Sequence, residues 1–277
     1  MNWHTIAVKL AAGEIHYALG RFYCVRRACG VIGGLRRPPN SRETQAATIF
    51  DRGVVDASVR SLHADGVALG FDLPAEIVAK IREYAERAPC FRSGDRRQFT
   101  YHEVTRGRLA DGKPVVLGMI NDLRTCPEID LLCGDPILLE IASQYLGYHP
   151  RHVEPRLYWS FVCSVSRENR LAQWQTVDYH FDVDGYSFIY ANFYITTVDR
   201  NSGAHAYICG SHKRKPWRML LHSANQTDKT VLDHFGRESE IVVEGGAGFG
   251  FLEDASCYHK AIPPKTGERL MLQIRIR

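Results

Sequence analysis

Tyr179-His180-Phe181-Asp182, taken with Tyr258-His259-Lys260 farther along, is the stretch on which the reading of this chain turns. In an extended segment alternate side chains project to the same side. His180 and Asp182 therefore share one face, and Phe181 and Val183 take the other. Two ligands one residue apart can hold one metal ion at about 2.0–2.2 Å from each donor atom, with a third ligand brought in by the fold. His259 is the candidate for that third place. Two histidines and a carboxylate on one side of an octahedral ion leave three positions open. That arrangement suits non-haem Fe(II), which must also bind a cosubstrate and dioxygen. The chain has 12 histidines, and a His-x-Asp by itself is more often structural than catalytic.

The C-terminal sequence strengthens the metal reading. A glycine-rich run, Glu244-Gly245-Gly246-Ala247-Gly248-Phe249-Gly250, reads as a tight turn into a strand. Ten residues after His259 comes Arg269, near the start of Glu268-Arg269-Leu270-Met271-Leu272-Gln273-Ile274-Arg275-Ile276-Arg277. This last segment alternates. Leu270, Leu272, Ile274 and Ile276 form an aliphatic face, and Arg269, Met271, Gln273 and Arg275 form the other. If the aliphatic face packs under helices, the arginines point into the fold, where a guanidinium must be paired. A dicarboxylate ligand would pair it bidentately. If instead the arginines meet solvent, no ligand is implied. The strand alone leaves both readings open.

The organisation of the chain is uneven. In residues 1–50, Trp3, Ile6, Ala7, Leu10 and Ala11 recur at helical spacing, followed by Arg21, Arg26, Arg27, Arg36 and Arg37 among apolar residues and a break at Pro38-Pro39-Asn40. Peripheral membrane contact is one reading of this basic segment. An extension of uncertain order, packed on the core or partly disordered, is the favoured one. Residues 51–277 read as one domain. In its first part, 51–150, a helix opens near Asp72-Leu73-Pro74 with Asp72 as N-cap and ends before Pro89. A strand is expected at Val115–Ile120, and a second amphipathic helix runs from Asp135 to Gly147. From 151 on, short β-rich runs follow one another at 156–165, 176–183, 186–198, 204–209, 240–243, 247–252, 256–261 and 268–276, with turn residues between most of them. Segment 212–236 reads as a polar insertion with helical pattern. The fold class is mainly β with flanking helices (α+β): a sandwich or barrel core backed by N-terminal helices.

His180-Phe181-Asp182, then Asn201-Ser202-Gly203-Ala204, then Gly210-Ser211-His212-Lys213, then His259 with Arg269 in that order, resembles the phytanoyl-CoA dioxygenase family of Fe(II)/2-oxoglutarate-dependent oxygenases. The resemblance covers roughly residues 60–277. Cys209 stands where that family usually has proline before Gly-Ser-His. The resemblance implies a double-stranded β-helix (jelly roll, cupin-like), with His180, Asp182 and His259 as iron ligands and Arg269 on the far carboxylate of 2-oxoglutarate. It implies Fe(II), 2-oxoglutarate and O2 as the reacting partners, with conversion of 2-oxoglutarate to succinate and hydroxylation of a small molecule. Because Asp182 is a carboxylate, the halogenating relatives, which lack it, do not fit. The Gly-Ser-His segment is a structural turn in the family, so His212 is not expected to be a ligand. On strand 186–198, Asn192 and Tyr194 are candidates to hydrogen-bond the cosubstrate. His205, His222 and His234 are expected to face solvent or loops. Rival readings are a cupin-like metal-dependent isomerase or hydrolase, which needs no carboxylate anchor at 269, and a non-catalytic jelly-roll binding protein.

Composition limits the partners. A net charge of +4, scattered along the chain, argues against nucleic-acid binding. Lys213, Arg214, Lys215, Arg218 and Lys265 are expected near the mouth of the site, which points to an anionic substrate; a solvated basic loop is the plainer alternative. Eight cysteines without a CxxC pair argue against structural zinc and for free thiols in a reducing compartment. Together with Lys9, Glu14 and His16, which interrupt any leader-like apolar run, they make a cytoplasmic location the expectation. Substrate identity and oligomeric state are not written in these patterns.

Overall fold

Leu270, Leu272, Ile274 and Ile276 decide which way the last strand faces. They join one apolar core with Leu62, Ile81, Ile137, Leu138, Ile141 and Ala142, all contributed by helices. In the computed structural model, which describes residues 14–39, 47–95 and 97–277, this strand, β11 (Arg269–Ile276), sits at the centre of an eight-stranded sheet. It pairs antiparallel with β5 (Val153–Ser160) on one side and β6 (Ile189–Tyr194) on the other. The sheet is completed beyond β6 by β9 (Gly250–Glu253) and β1 (Val67–Leu69). Beyond β5 come β4 (Leu117–Ile120), β2 (Cys90–Phe91) and β3 (Gln98–Phe99). A second sheet holds β10 (His259–Ala261), β7 (His205–Ile208) and β8 (Glu240–Val243). Tyr194, Phe251 and Met271 from the first sheet pack against Tyr207 and Val243 from the second. The chain is thus layered: helices, large sheet, small sheet, with the jelly-roll interior between the two sheets. This is the expected fold class.

The helices follow their sequence signals with one exception. Asp135 caps the Pro136–Leu146 helix by accepting from the amides of Ile137 at 2.9 Å and Leu138 at 3.2 Å. Gly147, at φ +81°, closes it in the left-handed conformation that favours glycine. The Ala75–Arg87 helix, however, is not capped by Asp72; Pro74 occupies the N-cap and no side chain serves it. The preceding residues are held extended along the sheet, with Phe71 N donating to Gly250 O and Leu73 N to Gly248 O. The helix therefore starts after them.

Two strand expectations are corrected. Residues 176–183 form no ladder; Tyr179 and His180 make only isolated bridges, to Gln226 and His259. The expected strand at 256–261 begins only at His259, because residues 254–257 close a turn in which Cys257 N donates to Asp254 O. The 212–236 insertion folds into short helices at Ser211–Arg214, Trp217–Leu221 and Asp228–Phe235. The described part of the N-terminal extension is packed on the core through the Tyr23–Arg36 helix; the periodicity of residues 3–11 lies outside the described residues. No helix among the described residues is long and apolar enough to cross a membrane, and the eight cysteines are unpaired.

Candidate metal and cosubstrate site

Backbone pairing brings the two halves of the metal motif together. His180 N donates to His259 O at 2.9 Å and His259 N returns the bond to His180 O at 2.8 Å. Asp182 N then donates to Ala255 O at 2.8 Å, which holds the His-x-Asp segment extended beside β10. Alternate residues of an extended segment share a face, so the side chains of His180 and Asp182 meet that of His259. One ligand atom from each lies within 4.8 Å of the others. His180 Nε2 is 3.7 Å from Asp182 Oδ1, and the two imidazole centroids are 4.2 Å apart.

The surroundings set the protonation of each donor. His180 Nδ1 lies 3.2 Å from Asp178 O, and His259 Nδ1 lies 3.0 Å from Cys257 O. A carbonyl oxygen can only accept, so both Nδ1 atoms carry a proton, and in the neutral ring the lone pair then lies on Nε2. This is the tautomer that metal-ligating histidines take. Burial, reinforced by the neighbouring His259, pushes His180 down to about 4, so the ring is neutral at ordinary pH. Burial by itself would raise the Asp182 carboxyl. The neighbouring His259 and His180 rings, the Arg275 guanidinium and a hydrogen bond from Tyr190 outweigh it and hold the group below the usual carboxylate range. Tyr190 Oη donates to Asp182 Oδ2 at 3.1 Å and accepts from Arg275. Two imidazoles oriented through Nδ1 and an ionised, oriented carboxylate form a donor set that fits a divalent transition metal.

The triad opens on a cavity of about 300 Å³ whose wall also includes Arg269, Gln273 and Arg275. The inward-pointing reading of these residues of β11 is thus the one the fold adopts. Arg269 is 2% exposed. Its Nη1 donates to Gly203 O, its Nη2 donates to Ser160 Oγ at 3.2 Å, and its Nε has no hydrogen-bond partner among the described residues. No carboxylate pairs with it among the described residues. Arg275, in contrast, has Asp184 at 3.1 Å.

Asn192 and Tyr194 stand elsewhere than expected. Neither lines the cavity. Asn192 donates to Glu253 Oε1 at 2.8 Å and accepts from Gln273 at 3.1 Å; the Tyr194 hydroxyl donates to Val243 O at 2.9 Å and accepts from His205 N at 3.1 Å. Their polar groups are consumed between the sheets. On the same strand face it is Tyr190, nearer the strand's start, that reaches Asp182.

His205 does not face solvent or loops as expected. It is instead buried in β7, on the cavity wall, with its ring stacked on His259 at 5.3 Å and 15°. Its Nε2 is 2.9 Å from Glu253 Oε2, although the alignment is not that of a hydrogen bond. The signal that could have placed it is the alternation of His205 and Tyr207 in a strand following the Asn201-Ser202-Gly203 turn. His212 is buried away from the triad against Cys257 Sγ at 3.2 Å. The basic cluster does not gather at the mouth. Lys213, Arg214 and Lys215 spend their charge on carbonyls of His63, Cys209 and Ser256.

No protein-family model matches this chain, and no curated protein matches it by sequence. Solved structures match by fold. The carbocyclase SnoK from nogalamycin biosynthesis, described as non-haem and α-ketoglutarate-dependent, is 16% identical over 83% of this chain and 87% of its own, with a TM-score of 0.55. EctD from S. alaskensis, solved with 2-oxoglutarate and 5-hydroxyectoine, is 14% identical over 86% and 79%, with a TM-score of 0.55. HygX from Streptomyces hygroscopicus, solved with nickel, 2-oxoglutarate and hygromycin B, is 16% identical over 79% and 86%, with a TM-score of 0.52. At such identities the likeness speaks for architecture, and the architecture of this chain is the jelly roll that these 2-oxoglutarate-binding proteins share.

Proposed function

We propose that this chain is a non-haem Fe(II)/2-oxoglutarate-dependent oxygenase that hydroxylates a small molecule. The observation that carries the reading is Arg269, a buried guanidinium with no carboxylate partner among the described residues, on the same cavity as His180, Asp182 and His259. A buried cation in that position needs an anion, and a fork of donors suits a carboxylate. His180, Asp182 and His259 would hold the metal and Arg269 the far carboxylate of 2-oxoglutarate. Bound iron and 2-oxoglutarate would supply the oxidation of a C–H bond by O2, with release of succinate and carbon dioxide. The chain's own part is positional. Asp178 O and Cys257 O fix the imidazole tautomers, and Tyr190 orients Asp182. The finer kinship with phytanoyl-CoA dioxygenases rests on the order of the sequence motifs.

Anaerobic addition of Fe(II) and then 2-oxoglutarate should give the weak visible band of the chelate, and oxygen should then give succinate. His180→Ala and Asp182→Ala should abolish both signals. Arg269→Ala should keep metal binding and raise the 2-oxoglutarate requirement by about tenfold or more, the scale of a lost charge-assisted pair. A cupin-like isomerase or hydrolase would form no succinate and would be indifferent to Arg269→Ala.

A further inference from the structure

The cavity wall carries more donor capacity than the metal and cosubstrate would use. Arg156 lines the cavity from β5, opposite Gln273 of β11. Its nearest carboxylate is Glu154 at 3.7 Å, between side chains 40% and 49% exposed. At that distance and exposure an ion pair contributes little. Gln175 lines the same cavity and is 2% exposed. Its Oε1 accepts from Arg170 Nη1 at 2.6 Å, but its buried Nε2 has no partner among the described residues. A buried amide donor left unpaired is destabilising unless a ligand completes it.

Between Gln175 and the buried Gln173 stands Trp174, also on the cavity wall, 61% exposed and at φ +63°. A large side chain rarely adopts that backbone conformation. It is held there from both sides: Gln173 Oε1 accepts from Val116 N at 2.9 Å, and Gln175 N donates to Arg170 O at 3.0 Å. Exposure of the indole gains no burial, so core packing does not account for the strain. Strain of this kind collects at ligand sites.

Charge then sets the ligand class. With a dication and the dianion of 2-oxoglutarate in place, those two cancel. Asp182 balances Arg269, and Arg275 is paired with Asp184 at 3.1 Å, a carboxylate that also takes Arg277 from outside the cavity wall at 2.6 Å. Glu253 lies behind the wall against His205. The charge left over in the cavity is that of Arg156. We infer that Arg156 anchors the substrate, with Gln175 Nε2 as second donor and Trp174 as a flat wall. The substrate is accordingly a small acid: a carboxylate or phosphate group joined to a planar or apolar body. The inference rests on the iron and 2-oxoglutarate reading. A cavity of about 300 Å³, at the small end for ligand sites and shared with the cosubstrate, admits only a small reacting portion.

The test is calorimetric titration of protein loaded with Ni(II) and 2-oxoglutarate, using indole-3-acetate, phenyl phosphate and the uncharged indole-3-acetamide as probes. At least one of the two anions should bind about tenfold tighter than the amide, as expected for a charge-assisted hydrogen bond, and which one does so separates carboxylate from phosphate. Arg156→Gln should remove the preference while leaving 2-oxoglutarate affinity within about twofold, and Arg156→Lys should restore part of it. Trp174→Ala should weaken all three probes alike. Equal binding of all three, no binding of any, or an anion preference that survives Arg156→Gln overturns the inference. So does an Arg156→Gln variant that loses 2-oxoglutarate instead of the probes. The Fe(II)–2-oxoglutarate band of the wild type reports on the underlying assignment separately. Its absence overturns both readings; a normal band with no anion preference overturns the substrate class alone.

Discussion

A single buried histidine shows how environment fixes charge here. His212 is 3% exposed, with its Nδ1 3.2 Å from Cys257 Sγ and its ring edge-on to Tyr23. Burial, against the pull of Asp254 and with the help of the nearby Arg26, Lys215 and Lys213 cations, lowers its pKa to about 4. The folded protein therefore keeps the ring neutral through a pH range where the unfolded chain, near 6.5, is protonated. With more protons bound in the unfolded state, stability rises with pH and is lost as pH falls from about 6.5 towards 4. Over the whole window one such group accounts for up to about 3 kcal/mol. His180, also lowered to about 4, acts in the same direction in metal-free protein. Urea unfolding from pH 7 to 4.5 should show this fall, and His212→Gln should reduce its slope by about one proton. An unchanged slope would mean that His212 titrates normally in the folded chain.

At the scale of elements, the Tyr23–Arg36 helix is joined to the loop that delivers His259. Gly30 and Gly34 let it approach closely: a Cβ at either would stand 2.7 Å from Leu146 O or 2.5 Å from Gly147 O. That approach lets Arg26 reach Asp254 at 2.8 Å, with both side chains buried, and also Ser256 and Tyr186 O. Burial would raise the Asp254 carboxyl, but the Arg26 charge outweighs it and holds the group well below the usual range. Asp254 in turn shapes the turn before His259, accepting from Ser256 N at 2.9 Å and from the Tyr145 hydroxyl. Arg26→Met would leave a buried carboxylate unpaired, a loss of about 3–5 kcal/mol. Arg26→Met with Asp254→Asn should recover part of it. Chemical denaturation checks both; a single variant within about 1 kcal/mol of wild type would show that this helix is not docked on Asp254.

For the molecule as a whole, ligands that bind only the folded state should add stability together. The proposed metal site draws on the segment around residue 180 and on β10, and the proposed 2-oxoglutarate anchor, Arg269, belongs to β11, so an unfolded chain cannot assemble either subsite. Saturation at about a hundred times Kd contributes about 2.7 kcal/mol per ligand, or about 5–10 °C in a chain of this size. Anaerobic melts should show one increment with Ni(II) or Fe(II) and a second with 2-oxoglutarate. Chelation should remove both, and Arg269→Ala should remove the second while sparing the first. A second increment that survives Arg269→Ala would place the cosubstrate carboxylate elsewhere.

Local pattern was enough wherever one segment settles its own fate. The alternation of residues 269–276, the Asp135 cap and the Gly147 terminator are consequences of backbone geometry within a few residues, and they hold in the structure. So does the layered fold class, since many short strands with few amphipathic helices have few ways to bury their apolar faces. Long-range pairing decided the rest. Residues 176–183 carry a strand-like sequence but find only the isolated bridges from Tyr179 to Gln226 and from His180 to His259, so they stay extended without a ladder. Tyr190 rather than Asn192 or Tyr194 touches Asp182, because register across β6, β9 and β11 sets which rung of a common face meets the site. The run 204–209 reads as a strand, but nothing local tells which of its faces forms the inner wall of a second sheet, so the burial of His205 is decided by tertiary packing. The sequence by itself determined which side chains have metal-ligand chemistry. Tertiary structure alone decided that His180, Asp182 and His259 converge, since their convergence depends on backbone hydrogen bonds between segments far apart in the chain.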